Sequence, residues 1–203
     1  MAFTVANSSA HAQAFLKVPS TYAANEELRF ANTVQTIISS YYRWHWLIAA
    51  ATNIAVSSGT QDYTMAAGDQ NTVYAIAQAN LLSGSTELPP LVIYSDPLLD
   101  KSSTTGQPYA VSLLSPTQVR LYPTPGATYT FQWRKYARPT IFAVNTEAWQ
   151  IPEAFTAAAK LGMCWQYALY ADDSRAPELQ KTFYDALAEH KAAELATMSR
   201  ARV

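Results

Sequence analysis

The chain has 203 residues, enough for one domain with a substantial core, and its net charge of −1 comes from 14 basic and 15 acidic side chains. This balance argues against a tight, sequence-independent grip on nucleic acid, which requires clustered Lys and Arg. Charged residues make up only 14% of the chain and aromatic residues 12%. Such a composition fits either a surface largely covered by partner proteins or a monomer with a neutral, polar surface.

The chain lacks the sequence features of a secreted or membrane-spanning protein. No basic and apolar leader opens it, and no apolar run approaches the roughly 20 residues of a membrane span. Its single cysteine, Cys164, excludes an intramolecular disulfide and is predicted to be a buried structural thiol. We therefore expect a soluble protein that is made in the cytoplasm and has no membrane partner.

The first predicted elements are an arm and a helix. Residues 1–24 are expected to form a flexible N-terminal arm, whose one apolar stretch, at Phe15 and Leu16, orders on a partner or on the body of the protein. Asn25 is a candidate N-cap, and apolar residues then follow at steps of three and four, which predicts a helix over residues 26–42.

The segment that follows this helix is rich in aromatic residues. Trp44 and Trp46 are separated by one histidine, and we expect a helix end or turn that places at least one of them in the core as a structural anchor. Residues 25–48 are accordingly assigned to a helical subdomain, together with residues 150–198 near the C-terminus.

Residues 49–149 are predicted to form an antiparallel β subdomain. Apolar residues alternate on both sides of Gly59, which predicts a hairpin between Ile54 and Met65. A longer strand is expected over residues 72–82, followed by a proline-rich excursion with one short strand at residues 91–94. An antiparallel meander with one aromatic face is expected between Tyr109 and Tyr136, with Trp133 as a structural anchor.

Two helices are predicted at the end of the chain. Residues 153–171 are apolar nearly all round, so this helix should be the most buried and should hold Trp165 as a further anchor. A second helix is expected over residues 177–198. Asp172 and Asp173 between the two helices are interpreted as turn and capping residues rather than as a catalytic pair.

No arrangement of residues in the sequence predicts catalysis. The three histidines, His11, His45 and His190, are far apart and have no Cys, Asp or Glu at the spacing of metal ligands. The chain has no phosphate-binding glycine motif and no nucleophile motif. We therefore expect no catalytic, cofactor or metal site and predict that the protein is not an enzyme.

One basic and aromatic cluster leaves two interpretations open. Arg134, Lys135 and Arg138 are interleaved with Trp133 and Tyr136, and stacking combined with charge is how single-stranded nucleic acids are bound. We favour the alternative, a strand with an aromatic core face and basic residues facing solvent, because the net charge is close to zero.

Taken in order, these segments resemble the head-to-tail adaptors of tailed bacteriophages, of the tail tubular protein A type. The resemblance covers about residues 25–195. It lies in these segments: Asn25 to Arg29, Arg43 to Trp46, Ser58 to Thr64, Gly106 to Pro108, Val119 to Pro125, Tyr129 to Tyr136, Arg138 with Pro139, Ile151 to Glu153, and Asp172 with Asp173. Residues 1–20 and 84–108 for the most part depart from the pattern.

The resemblance implies a helical bundle joined to a β-sandwich or barrel-like sheet, assembled as a dodecameric ring. Such a ring docks under the portal protein at the head–tail junction of the virion, carries the next tail component and leaves a channel through which DNA passes without specific binding. The candidate interface residues are Phe15, Leu16, Arg138, Arg200 and Arg202. The alternative function is that of a carbohydrate- or receptor-binding β module of a phage tail, which would expose Trp and Tyr side chains for stacking on sugars.

Overall fold

The computed structural model describes residues 3–22, 25–94 and 104–200, and the chain divides into two compact units. Residues 1–46 and 139–203 form a unit whose elements are mainly helical, and residues 47–138 form a unit of strands. The predicted α+β fold class is therefore confirmed. We describe the two units separately as the helical unit and the β unit.

The helical unit contains four α-helices within the described residues. The second helix begins and ends within one residue of the helix predicted over residues 26–42. The last helix begins one residue before the helix predicted over residues 177–198. The third is preceded by a single 3₁₀ turn at Glu153–Phe155. The helices are α1 Val5–Leu16, α2 Glu27–Tyr41, α3 Thr156–Tyr170 and α4 Ala176–Arg200.

Helix α1 replaces most of the flexible arm that the sequence predicts for residues 1–24. Thr4 caps its first turn by accepting a hydrogen bond from the Asn7 amide, and Val5, Ala12 and Leu16 are buried. The helix packs mainly against α3. Sequence reasoning missed it because several of its inward-facing residues are small or polar, which weakens the apolar periodicity that identifies a helix.

The buried helix α3 is the centre of the helical unit. Nine of its fifteen residues are buried, in agreement with the expectation that it is the most buried helix. A β-carbon built on Gly162 would lie 2.7 Å from Cγ1 of Val34 and 3.1 Å from a ring carbon of Phe183. A glycine at this position therefore allows α2 and α4 to approach α3 closely.

The stretch from Pro139 to Trp149 belongs to the helical unit rather than to the predicted β subdomain. The side chain of Asn32 in α2 both donates to the Phe142 carbonyl, at 3.1 Å, and accepts from the Phe142 amide, at 2.7 Å. Gln35 donates to the Thr140 carbonyl. These long-range side-chain contacts supply the backbone hydrogen bonds that a strand would otherwise form.

In its described residues, 47–94 and 104–138, the β unit has two sheets and a short parallel strand pair. In the five-stranded sheet the order is β1-β11-β4-β5, with β2 also paired to β11, and in the four-stranded sheet it is β3-β9-β8-β6. The strands are β1 Ile48–Ala50, β2 Ile54–Val56, β3 Asp62–Thr64, β4 Val73–Ser83, β5 Thr86–Glu87, β6 Val92–Tyr94, β7 Thr105–Gly106, β8 Ala110–Ser115, β9 Gln118–Tyr122, β10 Thr124–Pro125 and β11 Tyr129–Ala137.

The structure corrects two of the predicted strand pairings. The predicted hairpin between Ile54 and Met65 does not form, because β2 pairs with β11 and β3 pairs with β9. The turn at Gly59, whose φ is +79°, instead connects the two sheets. In the predicted meander only β8 and β9 pair with each other, and β11 lies in the other sheet beside β4. Alternation identifies the inner face of a strand but not its neighbour.

The inner faces of both sheets contribute to one hydrophobic core. Leu81, Phe131 and Trp133 come from the five-stranded sheet, and Val111 and Leu121 come from the four-stranded sheet. All five side chains are at most 2% exposed. The β unit is therefore a small sandwich, and its aromatic face points inward as the alternation predicts.

Candidate interaction surfaces

Trp44 and Trp46 lie at the aromatic centre of the helical unit. The Trp44 side chain is fully buried, and its Nε1 donates to the Ile38 carbonyl at 2.6 Å. Its ring is edge-on to Phe155 with centroids 4.9 Å apart, and the half-buried Trp46 ring packs against Phe155 at 5.8 Å. His190 stacks on the same phenylalanine at 4.3 Å, so this histidine serves in packing.

The other two tryptophans singled out from the sequence are also buried. Trp133 is part of the core of the β unit, and its Nε1 donates to the Thr52 carbonyl at 3.0 Å. Trp165 lies on α3 and stacks on Phe183 with centroids 5.8 Å apart. Neither ring therefore presents a free face to a ligand such as a sugar.

The candidate interface residues fall into different environments. Phe15 is half exposed, and the Arg175 guanidinium lies 6.0 Å from the centre of its ring. Leu16 lies on the inner face of α1 and is only 6% exposed, so the apolar stretch orders here on the body of the protein and Leu16 is not accessible to a partner. Arg138 is exposed, and its backbone amide is hydrogen-bonded to the Thr72 carbonyl.

The two arginines at the C-terminus differ in how far the structure describes them. Arg200 is the last residue of α4. Arg202 lies outside the described residues. Through residue 198, no described side chain of α4 after Leu187 is buried, so the last turns of this helix expose a long surface.

The basic cluster of β11 is divided between the two faces of the sheet. Arg134 is exposed, whereas Lys135 points inward, where its Nζ lies 2.8 Å from Oδ1 of Asp69. Arg134, Lys135 and Arg138 are close in sequence but therefore do not form one basic patch. This arrangement favours the interpretation of a strand with one core face over that of a nucleic-acid site.

The described residues offer little reactive chemistry. Among them, no group of three His, Cys, Asp or Glu side chains is placed to bind a metal ion. Burial raises the pKa of the Cys164 thiol to about 11, so the thiol is protonated and unreactive at neutral pH. Asp173 accepts hydrogen bonds from the side chain and backbone of Arg175, which lower the pKa of its carboxyl to about 2. It is a turn residue that precedes α4.

One concave surface was not indicated by the sequence. A cavity of about 260 Å³ lies on the outer face of the five-stranded sheet. Asn80, which is 7% exposed, donates there to Oε1 of Glu87 at 2.8 Å. Gln132 and Arg134 also line it. The cavity is polar, and the ring of Trp133 beside it is buried, so it lacks the exposed aromatic platform that is typical of sugar sites.

Two groups of exposed apolar side chains were also missed. In the β unit, four of the five large apolar residues that are exposed among the described ones lie at the β6 edge: Val92, Ile93, Tyr94 and Tyr109. In the helical unit, Leu169 and Tyr170 are exposed at the C-terminal end of α3. The alternation of a strand and the 3.6-residue period of a helix assign these residues to a strand or a helix. They do not show which strands and helices are left exposed to solvent.

No helix among the described residues combines the length and the apolar character needed to cross a membrane.

Comparison with known proteins identifies the family of the chain. No curated protein matches the sequence. A family model described as SU10 adaptor protein matches residues 9–203, which is nearly the whole chain. The chain therefore belongs to the SU10 adaptor protein family and is a structural head-to-tail adaptor of a bacteriophage virion.

Proposed function

We propose that this adaptor is of the tail tubular protein A type and forms a dodecameric ring beneath the portal protein, at the junction of head and tail. The main observation that supports a ring is that both units expose large apolar side chains, such as Tyr109 and Tyr170. Exposed apolar groups of this kind mark protein–protein interaction sites. The low content of charged residues supports the same conclusion.

The proposal assigns a role to each unit. The helical unit builds the ring, with α1 as part of the bundle rather than as a separate arm. The last turns of α4, which are not buried through residue 198, reach the portal together with the terminal arginines Arg200 and Arg202, whereas Phe15 and Arg138 contact neighbouring subunits. Loops of the β unit contact the next tail component. Assembly takes place in the host cytoplasm before the ring becomes part of the virion.

The ring leaves a channel through which DNA passes. A channel wall that made many phosphate contacts would retain the DNA instead of letting it slide. The chain is nearly neutral, and Lys135, one of the three clustered cations in β11 and directly after it, is paired with Asp69. Contacts with DNA are therefore transient and independent of sequence.

Native mass spectrometry of the purified chain, alone and with the cognate portal protein, tests the proposal. The expected result is a ring of twelve copies, formed either by the chain alone or on the portal. A monomer or trimer that ignores the portal at all concentrations would contradict it. Counting subunits on the portal also distinguishes a dodecamer from other rings.

A carbohydrate- or receptor-binding module of the tail is the second candidate function. The observation that favours it is the exposure of Tyr94 and Tyr109, since aromatic rings stack on sugars. A glycan array probed with the full chain separates the two functions. Specific glycan binding by a chain that does not assemble with the portal would favour the tail module.

A further inference from the structure

Helix α4 is held to the helical unit differently along its two halves. In the first half, Leu179, Phe183 and Leu187 are at most 7% exposed. In the second half, no side chain between residues 188 and 198 is buried. Burial of apolar side chains therefore fixes the helix as far as Leu187, and other interactions fix the turns beyond it.

A polar stripe continues the inner face of the helix beyond Leu187. Its members follow Leu187 at steps of three and four residues, which places them on the same side of α4. They are half-buried, whereas most of their neighbours between residues 188 and 198 are exposed. The polar stripe consists of His190, Lys191 and Glu194.

Two members of the polar stripe contact aromatic rings within one turn of Leu187. The His190 ring stacks on Phe155 with centroids 4.3 Å apart. The Lys191 ammonium lies 5.4 Å from the centre of the Tyr42 ring. A cation–π contact at a half-buried position is weak, so these two residues hold only the turn next to the apolar core.

Glu194 makes a different kind of contact, about two turns beyond Leu187. Its Oε1 accepts a hydrogen bond from the backbone amide of His45. His45 is the first residue of a 3₁₀ turn that extends to Leu47, so its amide has no acceptor within that turn. Because the acceptor is a carboxylate, the hydrogen bond is stronger and more directional than one between neutral groups.

Helix propensity does not replace this contact. Four alanines lie in the second half of α4 and favour a helical backbone there. Propensity keeps these turns helical, but it does not fix the direction in which they leave the body of the helical unit. A long-range hydrogen bond from a different segment of the chain does fix that direction. The alanines are Ala188, Ala192, Ala193 and Ala196.

We propose that Glu194 positions the end of α4 that docks on the portal, and that it acts through the backbone amide of His45. This inference rests on the proposed function, which assigns that end of the helix to the portal. A segment that is already held in its bound direction loses less conformational entropy when it binds. The hydrogen bond therefore raises the affinity for the portal, although Glu194 itself is a positioning residue and does not touch the partner.

Hydrogen–deuterium exchange of the full chain tests whether Glu194 holds the helix end. Glu194→Ala removes the acceptor, and amides in segments 42–47 and 190–198 should exchange about three- to tenfold faster, whereas residues 178–187 should not change. Alanine forms helices better than glutamate does, so faster exchange cannot come from helix propensity. Glu194→Gln keeps an oxygen acceptor at the same place and should restore most of the protection.

The affinity of the full chain for the cognate portal protein tests the consequence for docking. We expect Glu194→Ala to weaken binding about three- to tenfold and Glu194→Gln to restore most of it. The midpoint of thermal unfolding should stay the same, because neither variant alters a buried side chain. Glu189→Ala makes the same chemical change at an exposed position of α4 and should leave both exchange and affinity at wild-type values.

The two measurements together separate this inference from its alternatives. Unchanged exchange in segment 42–47, or wild-type affinity of Glu194→Ala for the portal, would overturn it and leave the proposed function intact. Equal losses of affinity in Glu194→Ala and Glu194→Gln, with exchange altered only in the first, would mean that the carboxylate binds the portal directly and would also overturn it. A wild type that does not bind the portal would overturn the proposed function itself.

Discussion

The ammonium group of Lys135 lies 2.8 Å from Oδ1 of Asp69, and the two side chains are 8% and 7% exposed. Lys135 also donates to the Thr72 hydroxyl at 2.6 Å, while the other Asp69 oxygen accepts from the Thr52 amide at 2.8 Å. The pair thus joins strand β11 to the loop before β4 and to the loop after β1. It fixes two connections of the β unit by an ion pair and hydrogen bonds, in addition to the apolar core.

Replacing one member of this pair should destabilise the β unit strongly. We expect Lys135→Met to lower the free energy of unfolding by about 3 to 5 kcal/mol, because it leaves the Asp69 carboxylate buried without its counter-charge. Urea denaturation measures the loss. The neighbouring Arg134→Met, at an exposed position, is the control and should change stability by less than about 0.5 kcal/mol. Equal losses in the free energy of unfolding for the two substitutions would show that the buried ion pair contributes no more to stability than the exposed Arg134.

The stability of the chain should fall in acid. Burial alone would raise the pKa of Asp69, but hydrogen bonds from Lys135 and Thr52 outweigh it and hold that pKa below the usual 3.8. The pKa of Asp173 is lowered to about 2. A carboxyl with a lower pKa in the folded state binds fewer protons there, so its contribution is present above pH 4 and is lost as the pH falls toward 2.

Urea denaturation at pH 5 and at pH 3 measures this dependence. We expect the midpoint to be lower at pH 3, and we expect Asp173→Asn to reduce the difference, since the asparagine cannot titrate. Asp172→Asn, at the adjacent residue, is the matched control. A pH dependence that Asp173→Asn leaves unchanged would exclude this carboxyl as a source.

Two adjacent residues of α1 should respond differently to truncation. Leu16→Ala removes a side chain that is 6% exposed and should cost about 2 to 5 kcal/mol of stability. Phe15→Ala removes a side chain that is 49% exposed and should cost much less. Thermal or urea unfolding distinguishes them. A small effect of Leu16→Ala would mean that α1 is only loosely attached in solution.

Removing residues 197–203 should weaken docking to the portal. No described side chain of α4 from residue 188 to residue 198 is buried, and Leu195, just before the removed segment, is 47% exposed, so this end of the helix is available to a partner. Co-sedimentation of the shortened chain with portal-bearing heads measures binding, and Glu189→Ala, an exposed change earlier in α4, is the control. Docking of the shortened chain at wild-type levels would refute the assignment of this end to the portal.

Arg134→Ala should change DNA affinity little. The guanidinium is exposed, but the adjacent Lys135 is turned inward, so one phosphate contact at most is lost. Fluorescence anisotropy with a short duplex at moderate salt measures the affinity, with Gln132→Ala on the same face as the control. If Arg134→Ala alone abolished DNA binding at that salt concentration, the result would support a nucleic-acid site on this strand.

Local patterns in the sequence determined much of the secondary structure. The apolar steps of three and four between Leu28 and Tyr41 define α2, because a helix places those positions on one face. The nearly continuous apolar stretch around Trp165 marks α3 as buried. Alternation in β8, β9 and β11 identifies which side chains enter the core. These features depend on residues close together in the chain, so the sequence alone reveals them.

Only the tertiary structure decided which elements meet. Strand β11 pairs with β4 rather than continuing a meander, since period-two alternation says which face is buried but not which strand is adjacent. Helix α1 is held by contacts with α3, which lies more than 100 residues further along the chain. Whether Lys135 points to solvent or to Asp69, and whether Tyr94 stays exposed, depends on residues distant in sequence. Such long-range contacts leave no periodic pattern in the chain, so only the folded molecule shows which apolar side chains, such as Tyr109, remain exposed.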